Sequence, residues 1–129
     1  MLVWQKGMQI AVAIITATRQ MPRSELFGLT SQMRRAASSI PMNIAEGFGQ
    51  HTRPKFIHGL RTAMGSLCEL MTAYEIAIKA GYLRENADLL EALAEEDRML
   101  QSLIRELDAK ERATDTPGPA RTRSQKPPR

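Results

Sequence analysis

Five basic side chains lie close together in the middle of the sequence. They are Arg34, Arg35, Arg53, Lys55 and Arg61. If they share one surface they can neutralise phosphates, and the forked guanidinium group of arginine can bind a phosphate through two hydrogen bonds. The alternative is that they form ion pairs within the protein or across a subunit interface, with Glu46, Glu69 and Glu75 as candidate partners. The residue types alone leave both interpretations open.

The distribution of charge along the chain bears on the same choice. Residues 1–61 contain eight Lys or Arg and two acids, residues 62–112 contain six and eleven, and residues 113–129 contain four and one. A basic first part and an acidic second part can neutralise each other, so the net charge of +4 is weak evidence for a nucleic-acid partner. No aromatic residues alternate with the basic ones, which favours contact with a phosphate backbone over stacking on single-stranded bases.

Residues typical of catalytic or metal sites do not occur at the required spacings. His51, His58 and the lone Cys68 fit no compact metal-binding motif, and the Glu-x-x-His pairs of di-iron bundles are missing. The acidic run at residues 95–97 is typical of a solvated helix face, and there is no glycine-rich phosphate loop or serine elbow. We therefore expect a non-catalytic protein without a metal or cofactor, in which Cys68 is a small buried residue.

Apolar residues recurring at intervals of three and four predict four helices. The predicted spans are Leu2–Arg19, Leu29–Gly47, Pro54–Ala80 and Arg84–Arg112. Four helices with short connections, rich in Ala, Leu, Ile and Met, predict an all-α fold, an antiparallel up-down-up-down four-helix bundle over residues 1–112. Residues 113–129 contain almost nothing apolar and predict a disordered, proline-rich basic tail. Its cations could bind nucleic acid: Arg121, Arg123, Lys126 and Arg129.

Each helix carries a predicted buried face. In the fourth helix the face contains Asp97 among leucines. In the first helix it is a broad stripe made of Trp4, Met8, Ala11, Ile15 and Thr18, joined by Val12 and Ile14. The third helix is apolar on more faces than one bundle can use, which predicts a homo-oligomer. Leu26 and Phe27 are expected to pin the first connection onto the core.

Caps and glycines complete the pattern. Thr52, and Thr30 or Ser31, are expected to cap the starts of helices three and two. Gly81 is expected to end helix three. Glycines inside helix three, Gly59 and Gly65 with Ser66, are expected to let another helix approach closely.

Pro41 interrupts the second helix, where it removes a backbone donor from the Ala37 carbonyl. The helix could continue as one piece, kinked at Pro41, or Ser39 could cap a new segment with Pro41 in its first turn. Because the apolar spacing stays in phase across the proline, a single kinked helix is favoured. Asn43 is expected to be buried and hydrogen bonded.

No apolar run is long enough to cross a membrane, and the N-terminus lacks the pattern of a secretory signal. We therefore expect a cytoplasmic protein with no membrane partner.

Three motifs carry a family resemblance. The run from Gln32 to Gly47, the segment Gly65-Ser66-Leu67-x-Glu69-Leu70 and the triplet at residues 81–83 resemble bacterial four-helix-bundle proteins encoded in intervening sequences of large-subunit ribosomal RNA genes. The resemblance covers about residues 2–108. The sequence departs from the family at Met21, where an aromatic residue is usual, and in its basic tail.

The resemblance implies a ring of five subunits and kinship with the accessory variability determinant of diversity-generating retroelements, which binds nucleic acid and a reverse transcriptase. Two hypotheses follow for this chain. It binds RNA or DNA through its basic residues, or it is a protein-interaction scaffold such as a reverse-transcriptase accessory subunit. The motif residues are expected to shape the helix or an interface rather than to perform chemistry: Pro41, Asn43, Glu46, Gly47, Gly65 and Ser66.

Overall fold

The computed structural model describes residues 1–115, and these residues form helices without strands. The α-helices are α1 (Leu2–Ala17), α2 (Leu29–Gly49), α3 (Arg53–Lys79) and α4 (Ala87–Asp115). Two short 3₁₀ turns between α1 and α2 cover residues 18–20 and 23–25. The predicted all-α class and the four helices are confirmed.

The four helices enclose one apolar core. α1 and α3 each contact both α2 and α4. Arg53 at the start of α3 pairs with Glu111 late in α4, whereas Tyr74 late in α3 meets Asn86 just before α4. Every helix contributes fully buried side chains to the core, which is the packing of a four-helix bundle.

α2 runs through Pro41 as a single helix. Ser39 does not cap a new segment, because its hydroxyl group bonds to the Ala36 carbonyl within the same helix, at 2.9 Å. The bend expected at Pro41 remains a prediction.

The ends of the helices follow some of the expected caps. The Thr52 hydroxyl accepts a hydrogen bond from the Lys55 N–H at 3.3 Å, as predicted. Neither Thr30 nor Ser31 caps α2; instead the Glu25 carboxylate accepts the Leu29 N–H at 3.1 Å. α4 continues to Asp115, so residues 113–115 of the predicted tail are helical and its remainder lies outside the described residues.

Gly81 ends α3, as predicted, with a positive φ of 79°. This conformation lets the Tyr82 N–H reach back to the Ala77 carbonyl at 2.9 Å, the bond that closes a Schellman motif.

The buried face of α1 differs in part from the predicted one. Ala11, Ile14 and Thr18 of the predicted stripe are buried, together with Val3, Gly7 and Ile10, whereas Trp4, Met8, Val12 and Ile15 are exposed. α1 is apolar on both sides, so periodicity could not distinguish them. The small residues decide, because a Cβ at Gly7 would lie only 3.2 Å from Ile40 on α2.

The acid within the α4 face is Glu96 rather than Asp97. The buried row of α4 is Leu89, Leu93, Glu96 and Leu100. Asp97 is only half-buried and its carboxylate accepts a hydrogen bond from Gln101 at 2.8 Å. The buried face thus begins one residue earlier than predicted.

Three residues expected in or on the core lie at the surface. Cys68 is exposed, Leu26 is exposed, and Phe27 is 94% exposed. Apolar character alone predicted all three wrongly. For Leu26 and Phe27 the reason is that hydrogen bonds of Glu25 hold the connection between α1 and α2 in place.

α2 and α3 touch through their backbones where Gly47 meets Gly59. A Cβ added at Gly59 would lie 2.6 Å from the Asn43 carbonyl oxygen and 2.9 Å from the Gly47 Cα. A Cβ at Gly47 would lie 3.0 Å from the Lys55 carbonyl oxygen. Gly65, by contrast, has nothing within 4 Å of the corresponding position, so no described helix approaches it.

We predict that Gly59→Ala destabilises the protein by about 1–3 kcal/mol, since the methyl group would push two backbones apart. Gly65→Ala is the matched control and should stabilise it by about 0.4–1 kcal/mol, because the added methyl meets open space in a helix. Urea unfolding followed by circular dichroism measures both. Equal effects of the two substitutions would contradict the close contact.

Candidate nucleic-acid interface

The predicted basic cluster divides into paired and unpaired residues. Arg61 forms an ion pair with Asp108 of α4. Arg53 lies 3.7 Å from the Glu111 carboxylate and donates a hydrogen bond to the Thr114 hydroxyl at 3.1 Å. The ion pairs expected as the alternative therefore exist, but with acids of α4 in place of Glu46, Glu69 and Glu75.

Arg34 occupies the junction of α1 and α2. Its Nε donates to the Thr18 hydroxyl at 2.8 Å, and that hydroxyl donates to the Ile14 carbonyl at 2.7 Å. Thr18 is buried while Arg34 is half-buried. The contact places the guanidinium group beside the end of α1.

Arg35 and Lys55 are exposed and form no ion pair with any residue of the described part. They do not lie together, because the Lys55 backbone lies beside Gly47. Arg35 lies twelve positions before Gly47 in α2, which is a distance of roughly 18 Å along the helix at 1.5 Å per residue. The five predicted residues therefore do not form one compact site.

A different basic group surrounds the Arg35 end of α2. Arg19 follows Thr18, the partner of Arg34, and Arg23 lies in a turn that contacts α2. We call Arg19, Arg23, Arg34 and Arg35 the basic end.

None of the four arginines of the basic end has an ion-pair partner among residues 1–115. The acid in the same connection, Glu25, is already engaged, since it accepts the Leu29 N–H and the Tyr82 hydroxyl at 3.2 Å. The sequence analysis did not select Arg19 and Arg23. Their one distinguishing feature in the sequence is that they flank Met21 and Pro22, in the connection between α1 and α2.

Some of the motif residues lie at the seam between α2 and α3, where Gly47 meets Gly59. The Ser39 and Ser66 hydroxyls are 2.6 Å apart, and since Ser39 donates to the Ala36 carbonyl, Ser66 donates to Ser39. The Asn43 amide donates to the Ser39 carbonyl at 2.7 Å, within α2. The bond between Ser39 and Ser66 therefore joins the two helices, and that of Asn43 fixes its side chain along α2.

Glu46 lies next to this seam, beside a small cavity of about 70 Å³. The lining includes Lys55 and His58, and both side chains are exposed. Glu46 itself is exposed and makes no ion pair within residues 1–115. Its place in the motif thus has no packing explanation in the single chain.

We predict that Ser66→Ala lowers the free energy of unfolding by about 1 kcal/mol, because it removes the hydrogen bond between α2 and α3. Ser38→Ala, one residue from Ser39, removes a hydroxyl that has no hydrogen bond to any of residues 1–115, and should change it by less than about 0.5 kcal/mol. Chemical denaturation of both variants measures the difference. A Ser66→Ala variant as stable as Ser38→Ala would show that the bond contributes nothing.

A second surface is apolar. Trp4, Met8, Val12 and Ile15 follow one another along the outer side of α1 and are between 38% and 60% exposed. We call these four residues the α1 stripe. The sequence predicted surplus apolar surface on α3. In the structure α3 exposes the large apolar side chain of Ile76, whereas the row of exposed apolar side chains lies on α1.

The described residues offer neither a metal site nor a membrane span. Within residues 1–115, no three or more His, Cys, Asp or Glu side chains come together in an arrangement that could hold a metal ion. The described helices include none with the length and apolar character needed to cross a membrane.

The family described as 23S rRNA-intervening sequence protein matches residues 1–102. The matched range contains the basic end, the seam between α2 and α3 and the α1 stripe. No curated protein matches the chain.

Proposed function

Because the chain belongs to the family of 23S rRNA-intervening sequence proteins, we propose that it is a non-catalytic, homo-oligomeric bundle that binds RNA through its basic surface. The observation that carries the RNA-binding part is the basic end, where four arginines lack acidic partners among the described residues.

Several basic side chains elsewhere in the bundle are ion-paired, unlike those of the basic end. Lys6 lies 3.4 Å from the Glu95 carboxylate, and Arg98 lies 3.0 Å from that of Glu91. Arg53 and Arg61 are held by α4 in the same way. Unpaired arginines are better placed to bind phosphates, since an existing ion pair must first be broken.

Within the basic end, the four side chains have different freedom. Arg34 is oriented by Thr18, which leaves its terminal nitrogens for a ligand, while Arg35 is exposed. A surface of this kind binds the phosphate backbone and reads no base sequence by itself. We therefore expect binding that depends strongly on salt and weakly on sequence.

Arg35→Ala should weaken binding to a structured RNA hairpin and reduce the slope of log affinity against log salt by about 0.7–0.9, the value for one lost phosphate contact. Fluorescence anisotropy across a salt series measures both quantities. Arg98→Ala is the control, because it removes the same charge from an ion-paired site on α4 and should leave the slope unchanged.

RNA affinity that is equal in the wild type, the Arg35→Ala variant and the Arg98→Ala variant would contradict the basic end as the contact. A DNA duplex of the same length belongs in the same series. Tighter binding of that duplex than of the hairpin would replace RNA by DNA in the proposal.

The oligomeric part of the proposal is supported by the α1 stripe. Its four residues are spaced by four, four and three positions, so they line one side of the helix. A continuous apolar row of this length on a surface is typical of a protein–protein contact. The family resemblance implies a ring of five, in which the stripe of one subunit packs against a different surface of the next.

We predict that Val12→Glu, in the middle of the α1 stripe, converts the oligomer to a monomer without loss of helix content. Val12 is 60% exposed, so the charge does not enter the core. Ile76→Glu on α3 is the control, because Ile76 is 51% exposed and lies outside the stripe. Multi-angle light scattering gives the masses.

A wild-type protein that is monomeric at micromolar concentration would contradict self-association. The stripe would then favour the alternative of a scaffold for another protein, such as a reverse transcriptase. Capture of that protein after nuclease treatment, lost in Val12→Glu, would support the alternative. Kinship with the accessory variability determinant remains a prediction.

A further inference from the structure

Glu96 is fully buried in α4, with 0% exposure. Neither of its carboxyl oxygens has a hydrogen-bond partner among the described residues. A negative charge in such a position is strongly disfavoured, because neither water nor a hydrogen-bond donor compensates for its lost hydration.

The carboxyl group lies where α1, α2 and α4 meet. A Cβ added at Gly7 of α1 would lie 3.1 Å from Glu96 Oε2, 3.2 Å from Ile40 Cγ2 and 3.5 Å from Pro41 Cβ. Gly7 thus makes room for the carboxyl group beside the turn of α2 that contains Pro41.

Two charged groups act on this carboxyl group from the helices around it. Lys6 of α1 favours its ionised form and Glu95 of α4 opposes it, and these two side chains pair with each other at 3.4 Å. No charged group of α2 or α3 has a resolved effect. Burial dominates and raises the pKa of Glu96 to about 8.

We propose that Glu96 is a proton-dependent contact between helices: in its neutral form it packs where α1, α2 and α4 meet, and loss of the proton places an uncompensated charge there and loosens α4. The proposal is independent of RNA binding and of assembly.

The direction of the pH effect follows from linkage. The pKa of Glu96 is about 8 in the folded protein and 4.5 as the unperturbed reference. Between these values the folded state retains a proton that the unfolded state has released, so stability falls as pH rises. The stabilisation is complete below the reference value and lost as pH passes the folded pKa, with a limiting change of about tenfold in the unfolding constant per pH unit.

The test compares urea unfolding of the full chain from about pH 5 to about pH 9 for wild type and Glu96→Gln. Gln is similar in size to Glu and does not titrate, so the wild type should lose stability relative to the variant by up to about tenfold in the unfolding constant per pH unit across the window. Carbon-13 chemical shifts of the Glu96 carboxyl group in the wild type follow its protonation directly. Parallel pH profiles, or a carboxyl group already ionised at about pH 6, would overturn the proposal.

Discussion

The contact between Gly47 and Gly59 sets the geometry of the bundle. No side chain separates the backbones there, since a Cβ on either glycine would lie within 3.0 Å of the other helix. Ser39 and Ser66 join the same two helices through their hydroxyls farther along. A close approach of this kind favours small residues on both helices. α2 and α3 thus form the central pair, against which α1 and α4 pack.

The remaining helices join this pair by different means. α1 places small residues, Gly7 and Ala11, in its buried face. α4 presents acids to the arginines of α3, as in the pairing of Asp108 with Arg61. The arginines of α3 are therefore paired within the fold, whereas those of the basic end have no ion-pair partner among residues 1–115. Because α1 carries apolar residues on its outer side as well as its inner side, one helix can serve both the core and the proposed assembly.

Much of this architecture could be predicted from the sequence. Helical periodicity located four helices, and the in-phase spacing across Pro41 indicated a continuous α2. Thr52 caps the start of α3 and Gly81 ends it, as predicted. These features depend on residues close together in the chain, where local rules apply.

What depends on distant residues could not be predicted in this way. Arg61 lies 47 residues from its partner Asp108, so its ion pair has no local signature. In α1 two apolar faces compete, and the choice between them depends on how closely α2 approaches. In α4 the sequence contains adjacent acids, and the one that is buried, Glu96, faces the space left by Gly7. Similar reasoning explains why the basic end was missed, since it gathers two residues of α2 and two of the connection that precedes it.

The most direct test of the account uses Trp4, the one tryptophan of the chain, which lies on the α1 stripe. In a single subunit Trp4 is 38% exposed. If the stripe is an assembly interface, Trp4 fluorescence should be blue-shifted and protected from acrylamide at high protein concentration, and should shift to the red and become quenchable on dilution. A Trp4 emission that is red-shifted and equally quenchable at every concentration would contradict the central claim that the outer side of α1 is covered by another subunit.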